Sequence, residues 1–159
     1  MFRMITKSGD LTQATNYRPI AILRILYKIF SKMIYSRIHQ RLEDEQCDDQ
    51  CGFRPGIRIE DAIGTAEILI SAAHEYGLEL WMASLDLKKA FDRVEHHALF
   101  SALRDQGLCN DELALLLDLY TDQTGSANGS RSFDIMKGIK QGDMLSSLLF
   151  NAVIEHVFR

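Results

Sequence analysis

Ser84-Leu85-Asp86-Leu87-Lys88-Lys89-Ala90-Phe91-Asp92-Arg93-Val94 is the stretch on which the reading of this chain depends. It continues Leu80 to Leu85, a short, mostly apolar run without helical period, bounded by Gly77 and by the charge of Asp86. Such a run reads as a buried strand, which places Asp86 at a strand's C-terminal end. A carboxylate there is costly to desolvate unless it is paired or holds a cation, so Asp86 is the first functional candidate. An isolated aspartate at a strand-to-helix turn is more often a cap. The neighbours argue for more: two lysines, the small-to-bulky step Ala90-Phe91, and then Asp92-Arg93 compose a tight turn.

Downstream, the pattern predicts a helix from about His96 to Asp105 stopped at Gly107, and another after an Asn110 cap with the stripe Leu113, Leu116, Leu117, Tyr120. Asn128-Gly129 is a hairpin signal, with Ser132 to Met136 as the returning strand. Gly138 and Gly142 then lie in a loop before an apolar helix, Leu145 to Phe158. Upstream, Ile22, Ile25, Leu26, Ile29, Phe30, Met33 and Ile34 recur at helical intervals, predicting an amphipathic helix that begins after Pro19 and ends near Leu42. A polar turn leads to Gly52, Pro55 and Gly56. A second helix is expected from about Glu60 to His74, with Ala62, Ile63, Ala66, Leu69, Ile70 and Ala73 on one face and Gly77 closing it. No repeat or linker interrupts the chain, which reads as one α+β unit.

The 159 residues, 47% hydrophobic and 25% charged, are enough to bury a real core, so disorder is not expected. No window has the apolar length of a membrane span and the N-terminus has no signal-peptide core, which predicts an intracellular chain without membrane association, in cytoplasm or nucleus. Three cysteines leave one unpaired under any scheme, against a secreted disulfide framework. Cys47 and Cys51 lack further ligands at suitable spacing for zinc and read as plain thiols. His96 and His97 diverge on a helix and read as ordinary imidazoles. The net charge of -4 hides an uneven distribution. Arg18, Arg24, Lys28, Lys32, Arg37 and Arg41 occur with no acid between Arg18 and Leu42, a segment suited to phosphates or to a solvated helix face.

The stretch from Ser84 to Val94 resembles the first catalytic motif of reverse transcriptases of non-LTR retrotransposons and group II introns. Three further blocks agree with that family in order and spacing. Asn16-Tyr17-Arg18-Pro19-Ile20 is similar to its first fingers motif, and Gln50-Cys51-Gly52-Phe53-Arg54-Pro55-Gly56 with Asp61-Ala62-Ile63 to its second. Gly138-Ile139-Lys140-Gln141-Gly142-Asp143 with Leu148-Leu149-Phe150-Asn151 resembles its nucleotide-pocket motif. Four blocks in register across most of the chain are specific where any one would be weak.

The resemblance implies the fingers (about 1–78) and the start of the palm (about 79–159) of a right-hand polymerase. It implies an RNA template, a DNA primer and deoxynucleoside triphosphates as partners, and two Mg²⁺ ions as cofactors. Converging carboxylates suit such a pair of hard cations. Asp86 is then the bridging metal ligand and catalytic carboxylate, with the Leu87 carbonyl as a second contact. Phe91 lies under the sugar of the incoming nucleotide and excludes a 2′-hydroxyl by its bulk. Lys7 and Arg18 hold the triphosphate. Gln141 and Gly142 line the nucleotide pocket, where a side chain larger than that of glycine obstructs backbone approach. Arg54 either touches the template strand or braces the fingers, and Asp92 supports the turn.

The family's second acidic pair, on a Tyr-Ala-Asp-Asp-like hairpin, has no counterpart after Asn151. Met144 and Ser147 stand where the family usually carries proline. These departures lead us to expect an incomplete domain, inactive alone, with apolar surface left uncovered on Leu80 to Leu85 and on Leu145 to Phe158 and prone to self-association. Two other classes compete with a polymerase: a noncatalytic nucleic-acid-binding remnant, which salt would reveal, and a structural remnant that binds nothing.

Overall fold

The computed structural model describes residues 1–6, 10, 12, 13, 16–127 and 131–159. Lys7 and the Asn128-Gly129 turn lie outside the described residues. The architecture is α+β, with two small antiparallel sheets and five α-helices among the described residues. Strands β1 (Phe2–Thr6) and β2 (Tyr17–Ala21) pair with Phe2 opposite Ala21 and Ile5 opposite Arg18. Helices α1 (Ile25–Asp44) and α2 (Ile59–Tyr76) follow, and after a single 3₁₀ turn (Phe91–Arg93) come α3 (His96–Asp105) and α4 (Asn110–Tyr120). The short pair β3 (Thr124–Gly125) and β4 (Phe133–Asp134) precedes α5 (Met144–Phe158).

The core forms where α5 packs against α1 and α3. Ile34, Ile38 and Leu42 of α1 meet Leu145, Leu148, Leu149 and Ala152 of α5 and Leu99 and Leu103 of α3 in one buried cluster, joined by Leu113 and Leu116 of α4. Polar ties reinforce the same helix: Ser31 Oγ donates to Asp143 Oδ1 at 2.6 Å, and Gln106 Nε2 to the Ala152 carbonyl at 2.7 Å. The Glu155 carboxylate accepts the Cys47 N–H at 2.9 Å, and Asn151 Nδ2 donates to the Gly52 carbonyl at 2.8 Å. Each satisfies a buried or half-buried polar group that would otherwise cost free energy.

Helix ends follow their local signals. Gly77 caps α2 in the left-handed conformation (φ 64°) and Gly107 (φ 83°) follows α3, as glycines past a C-terminus do. The N-cap of α4 is Cys109 rather than Asn110, with Glu112 reaching back to the Cys109 N–H at 3.0 Å.

Four expectations need correction. Residues 80–85 form no strand: the run is irregular, and Leu80, Trp81, Met82 and Leu85 are exposed, Trp81 at 91%. A strand exists only as part of a ladder, and no neighbouring segment among the described residues offers this one a row of N–H and C=O groups. Ile22, ahead of α1, and Ile25, Leu26, Ile29, Phe30 and Met33 on it are exposed, and the buried row of the helix is Ser31, Ile34, Ile38 and Leu42. The helix carries two apolar stripes, and α5 covers only one. Helix α2 likewise has no buried residue. The reverse holds for α5: Leu145, Leu148, Leu149 and Ala152 are buried, and its exposed apolar residues, Met144, Val157 and Phe158, lie at its two ends.

Candidate active site

Three separate stretches of sequence meet at one open cleft of about 330 Å³. Tyr17, Arg18 and Pro19 of β2 form one wall, residues 86–92 another, and Gln141 closes the third side. Asp86, Leu87, Arg18, Phe91 and Gln141, singled out from sequence, are thus gathered in one place, with Tyr17, Lys88 and Lys89 beside them.

Backbone hydrogen bonds hold the walls together. The 3₁₀ turn presents the carbonyls of Phe91 and Val94 to the N–H groups of Ile139 (2.9 Å) and Gly138 (2.8 Å). Gly138 sits at φ +89°, and a Cβ there would lie 3.0 Å from the Asp92 carbonyl oxygen. Only glycine allows this crossing. His96 Nε2 lies 3.0 Å from the Gly138 carbonyl oxygen. Three residues after Gly138, the Gln141 carbonyl accepts the Ala21 N–H at 3.0 Å, which fastens the same loop to β2. Gly142, at φ +109°, has its would-be Cβ 3.4 Å from the Ala21 carbonyl oxygen. One loop therefore sets the spacing between β2 and the Asp86 turn.

Within the cleft, Phe91 is half-buried and stacked on Phe150 (centroids 4.6 Å apart, planes at 15°), with Phe53 edge-on at 5.8 Å. Stacking fixes the ring. Phe53 comes from the turn that Asn151 and Arg54 hold in place, and its own φ of +58° is unusual for a bulky residue. Asp86, Lys88, Lys89 and Arg18 are exposed side chains. Lys89 has φ +56°, a strained value for a residue with a Cβ, in the turn just after Asp86. Three cations (Arg18, Lys88, Lys89) face two carboxylates (Asp86, Asp92), a balance that suits a polyanion accompanied by a metal cation.

Arg54 is committed inward. Its Nε donates to Glu43 Oε1 at 2.6 Å and its Nη1 to the carbonyls of Cys47 (2.7 Å) and Gln50 (3.2 Å), with the side chain only 9% exposed. Its guanidinium is thus engaged by Glu43 and by the backbone of the turn.

Behind the cleft lies a polar layer that sequence reasoning missed. Asp143 caps α5, accepting the Leu145 N–H at 3.4 Å beside the Ser31 hydroxyl. Lys140 Nζ donates to the Tyr27 hydroxyl at 2.9 Å and lies 4.2 Å from the centroid of that ring and 5.7 Å from that of Tyr120. Burial pushes the Tyr27 and Tyr120 phenols up and pulls the Lys140 amine down to about 8, against the opposing field of Asp143. No signal of periodicity marks these residues, because their partners come from α1 and α4.

The donor set fits one hydrated Mg²⁺. Asp86 offers an exposed hard carboxylate that no hydrogen bond or ion pair engages among the described residues. Magnesium commonly takes one or two carboxylates and completes its shell with water and phosphate oxygens. No cluster of three or more candidate ligands occurs among the described residues, so two ions would need further carboxylates. No described helix is long and apolar enough to cross a membrane.

Residues 5–159 match the family model described as Reverse transcriptase (RNA-dependent DNA polymerase). The retrovirus-related Pol polyprotein of a type-1 retrotransposable element R2 from Popillia japonica is 33% identical over 163 residues, covering 97% of this chain and 22% of the relative. The transposon TX1 uncharacterized 149 kDa protein of Xenopus laevis is 32% identical, covering 96% of this chain and 12% of the relative. The Pol polyprotein of the type-2 element R2DM of Drosophila melanogaster is 26% identical, covering 98% and 15%. The chain thus spans less than a quarter of the length of these relatives. The match runs through all the walls of the cleft, and the chain belongs to the reverse transcriptase family, alongside the Pol proteins of non-LTR retrotransposons.

Proposed function

We propose that this chain is the fingers (about 1–78) and first part of the palm (about 79–159) of an RNA-directed DNA polymerase that adds deoxynucleotides to a primer on an RNA template. The observation that carries the reading is the convergence of Arg18, of Asp86 with Phe91, and of Gln141, from three separate stretches of the sequence, on one cleft of mixed charge. Mg²⁺, when bound, supplies Lewis-acid activation of the primer hydroxyl and charge neutralisation at the leaving pyrophosphate. Asp86 and the Leu87 carbonyl would hold it. Arg18, with Lys7, binds the triphosphate, and Lys88 and Lys89 add positive potential beside it. The Phe91 ring, locked by Phe150, rejects a 2′-hydroxyl by bulk, while Gln141 and Gly142 shape the base side of the pocket. Arg54 acts through the Gly52 to Gly56 turn, keeping Phe53 against Phe91.

These 159 residues supply too few carboxylates for two ions and are expected not to extend a primer alone. Primer extension on an RNA template should be measured with Mg²⁺ for this chain, for a chain extended C-terminally through a second acidic pair, and for the extended chain carrying Asp86→Asn. Activity in the extended chain that Asp86→Asn abolishes supports the assignment, and an extended chain that retains full activity with Asp86→Asn refutes it.

A specific observation favours a second reading, phosphate binding without turnover. Arg24, Lys28, Lys32 and Arg37 are all exposed along α1. Affinity for single-stranded RNA that falls steeply with salt, by a logarithmic slope of roughly 0.7 per phosphate contact, would be its signature.

A further inference from the structure

Lys140 differs from an ordinary surface lysine in its surroundings. The residue lines a second, open cavity of about 250 Å³, otherwise walled mainly by apolar groups of Phe2, Ala21, Ile22, Tyr27 and Ile135. The only hydrogen-bond acceptor it engages among the described residues is the neutral Tyr27 hydroxyl, and it forms no salt bridge there. The charged and titratable groups that face it are Tyr27 on α1, Tyr120 on α4, Asp143 at the start of α5, and Arg24, which lines the same cavity. An amine flanked by two aromatic rings and an apolar hollow, with one neutral acceptor, is partly withdrawn from water and has no direct counter-ion contact among the described residues.

We propose that Lys140 is a nucleophilic amine that captures small aliphatic aldehydes from the adjoining cavity. In the step, the nitrogen lone pair attacks the carbonyl carbon and the carbonyl π pair moves to oxygen. Proton transfer from nitrogen to oxygen gives a carbinolamine. Loss of hydroxide, with a second nitrogen proton completing it as water, leaves an imine on Lys140. The apolar walls select the alkyl chain, and the Tyr27 hydroxyl, already bonded to the amine, is placed to relay the proton. Burial that lowers the amine's affinity for a proton supplies the free base near neutral pH. The site is distinct from the cleft at Asp86, and its chemistry does not depend on polymerase activity.

The test is competitive reductive labelling of the intact chain with butanal and cyanoborohydride, read residue by residue by mass spectrometry from pH 6.5 to 10.5. A drop from 10.5 to about 8 raises the free-amine fraction at pH 7 by two to three orders of magnitude, of which restricted access removes a part. Lys140 is therefore expected to label at least about tenfold faster at pH 7 than the exposed Lys28 and Lys32, with its rate levelling above pH 8 while theirs still climb. The preference should vanish in urea and should shrink when glyoxylate replaces butanal. Labelling no faster than Lys28 and Lys32, a rate that climbs in parallel with theirs beyond pH 10, or a preference that survives unfolding would each overturn the proposal.

Discussion

Replacing Gly138 by alanine tests the crossing on which the cleft is built. The new methyl group would lie 3.0 Å from the Asp92 carbonyl oxygen, 3.1 Å from its Cα and 3.2 Å from its carbonyl carbon. All three are backbone atoms of the 3₁₀ turn and have no rotamer by which to retreat. The residue also holds φ +89°, where a side chain costs about 1–2 kcal/mol. If the loop backs away, the bonds from Gly138 N to Val94 O and from Ile139 N to Phe91 O lengthen, each worth about 1 kcal/mol net. The expected loss is therefore about 2–4 kcal/mol, which for a domain of this size is a fall of roughly 5–15 °C in Tm. Thermal unfolding followed by circular dichroism measures it. Gly64→Ala is the matched control: it lies inside α2 with nothing within 4 Å of the added carbon, and should stabilise by about 1 kcal/mol. A Gly138→Ala protein that melts within about 1 °C of the parent would refute the reasoning.

Leu149→Ala removes a fully buried side chain of α5 and should cost about 2–5 kcal/mol by urea titration. Arg54→Ala strips Glu43 of its partner and frees the carbonyls of Cys47 and Gln50, and should cost about 1–3 kcal/mol; Arg54→Lys should recover little, because an ammonium cannot span the same three acceptors. The Lys140 amine, held near 8 in the fold against 10.5 in the open chain, binds fewer protons when folded, so stability rises as pH climbs from about 8 toward 10.5. Tyr27 and Tyr120, raised by burial, keep their protons longer when folded, so stability falls again above pH 10. Chemical denaturation across this range should show that rise, and Lys140→Met should flatten it.

How much of this was legible in the sequence depends on what each feature needs. Helix ends need only local chemistry, and Gly77 and Gly107 announced theirs. The cleft was legible through its motif blocks, which name Arg18, Asp86, Phe91 and Gln141 without geometry. Which stripe of α1 is buried depends on where α5 lands, and period alone weighs Ile25 and Ile29 no less than Ile34 and Ile38. The run from Leu80 to Leu85 has the composition of a strand, but pairing is decided elsewhere in the chain. Strands β1 and β2 escaped notice because Pro19 reads as a helix boundary and residues 7–16 separate the partners. The Lys140 and Asp143 layer could not be anticipated, since Tyr27, Ser31 and Tyr120 reach it only through the tertiary fold.

The central place of α5 bears on the order in which the chain acquires its shape during synthesis. The Ser31 to Asp143 bond closes a separation of 112 residues, and the row Ile34, Ile38, Leu42 has its main cover in α5, a helix translated long after it. A ribosome adding about 5–20 residues per second needs of order ten seconds to travel from α1 to α5. For that interval the nascent N-terminal half carries an apolar helix with no lid, a natural substrate for chaperones that bind emerging chains.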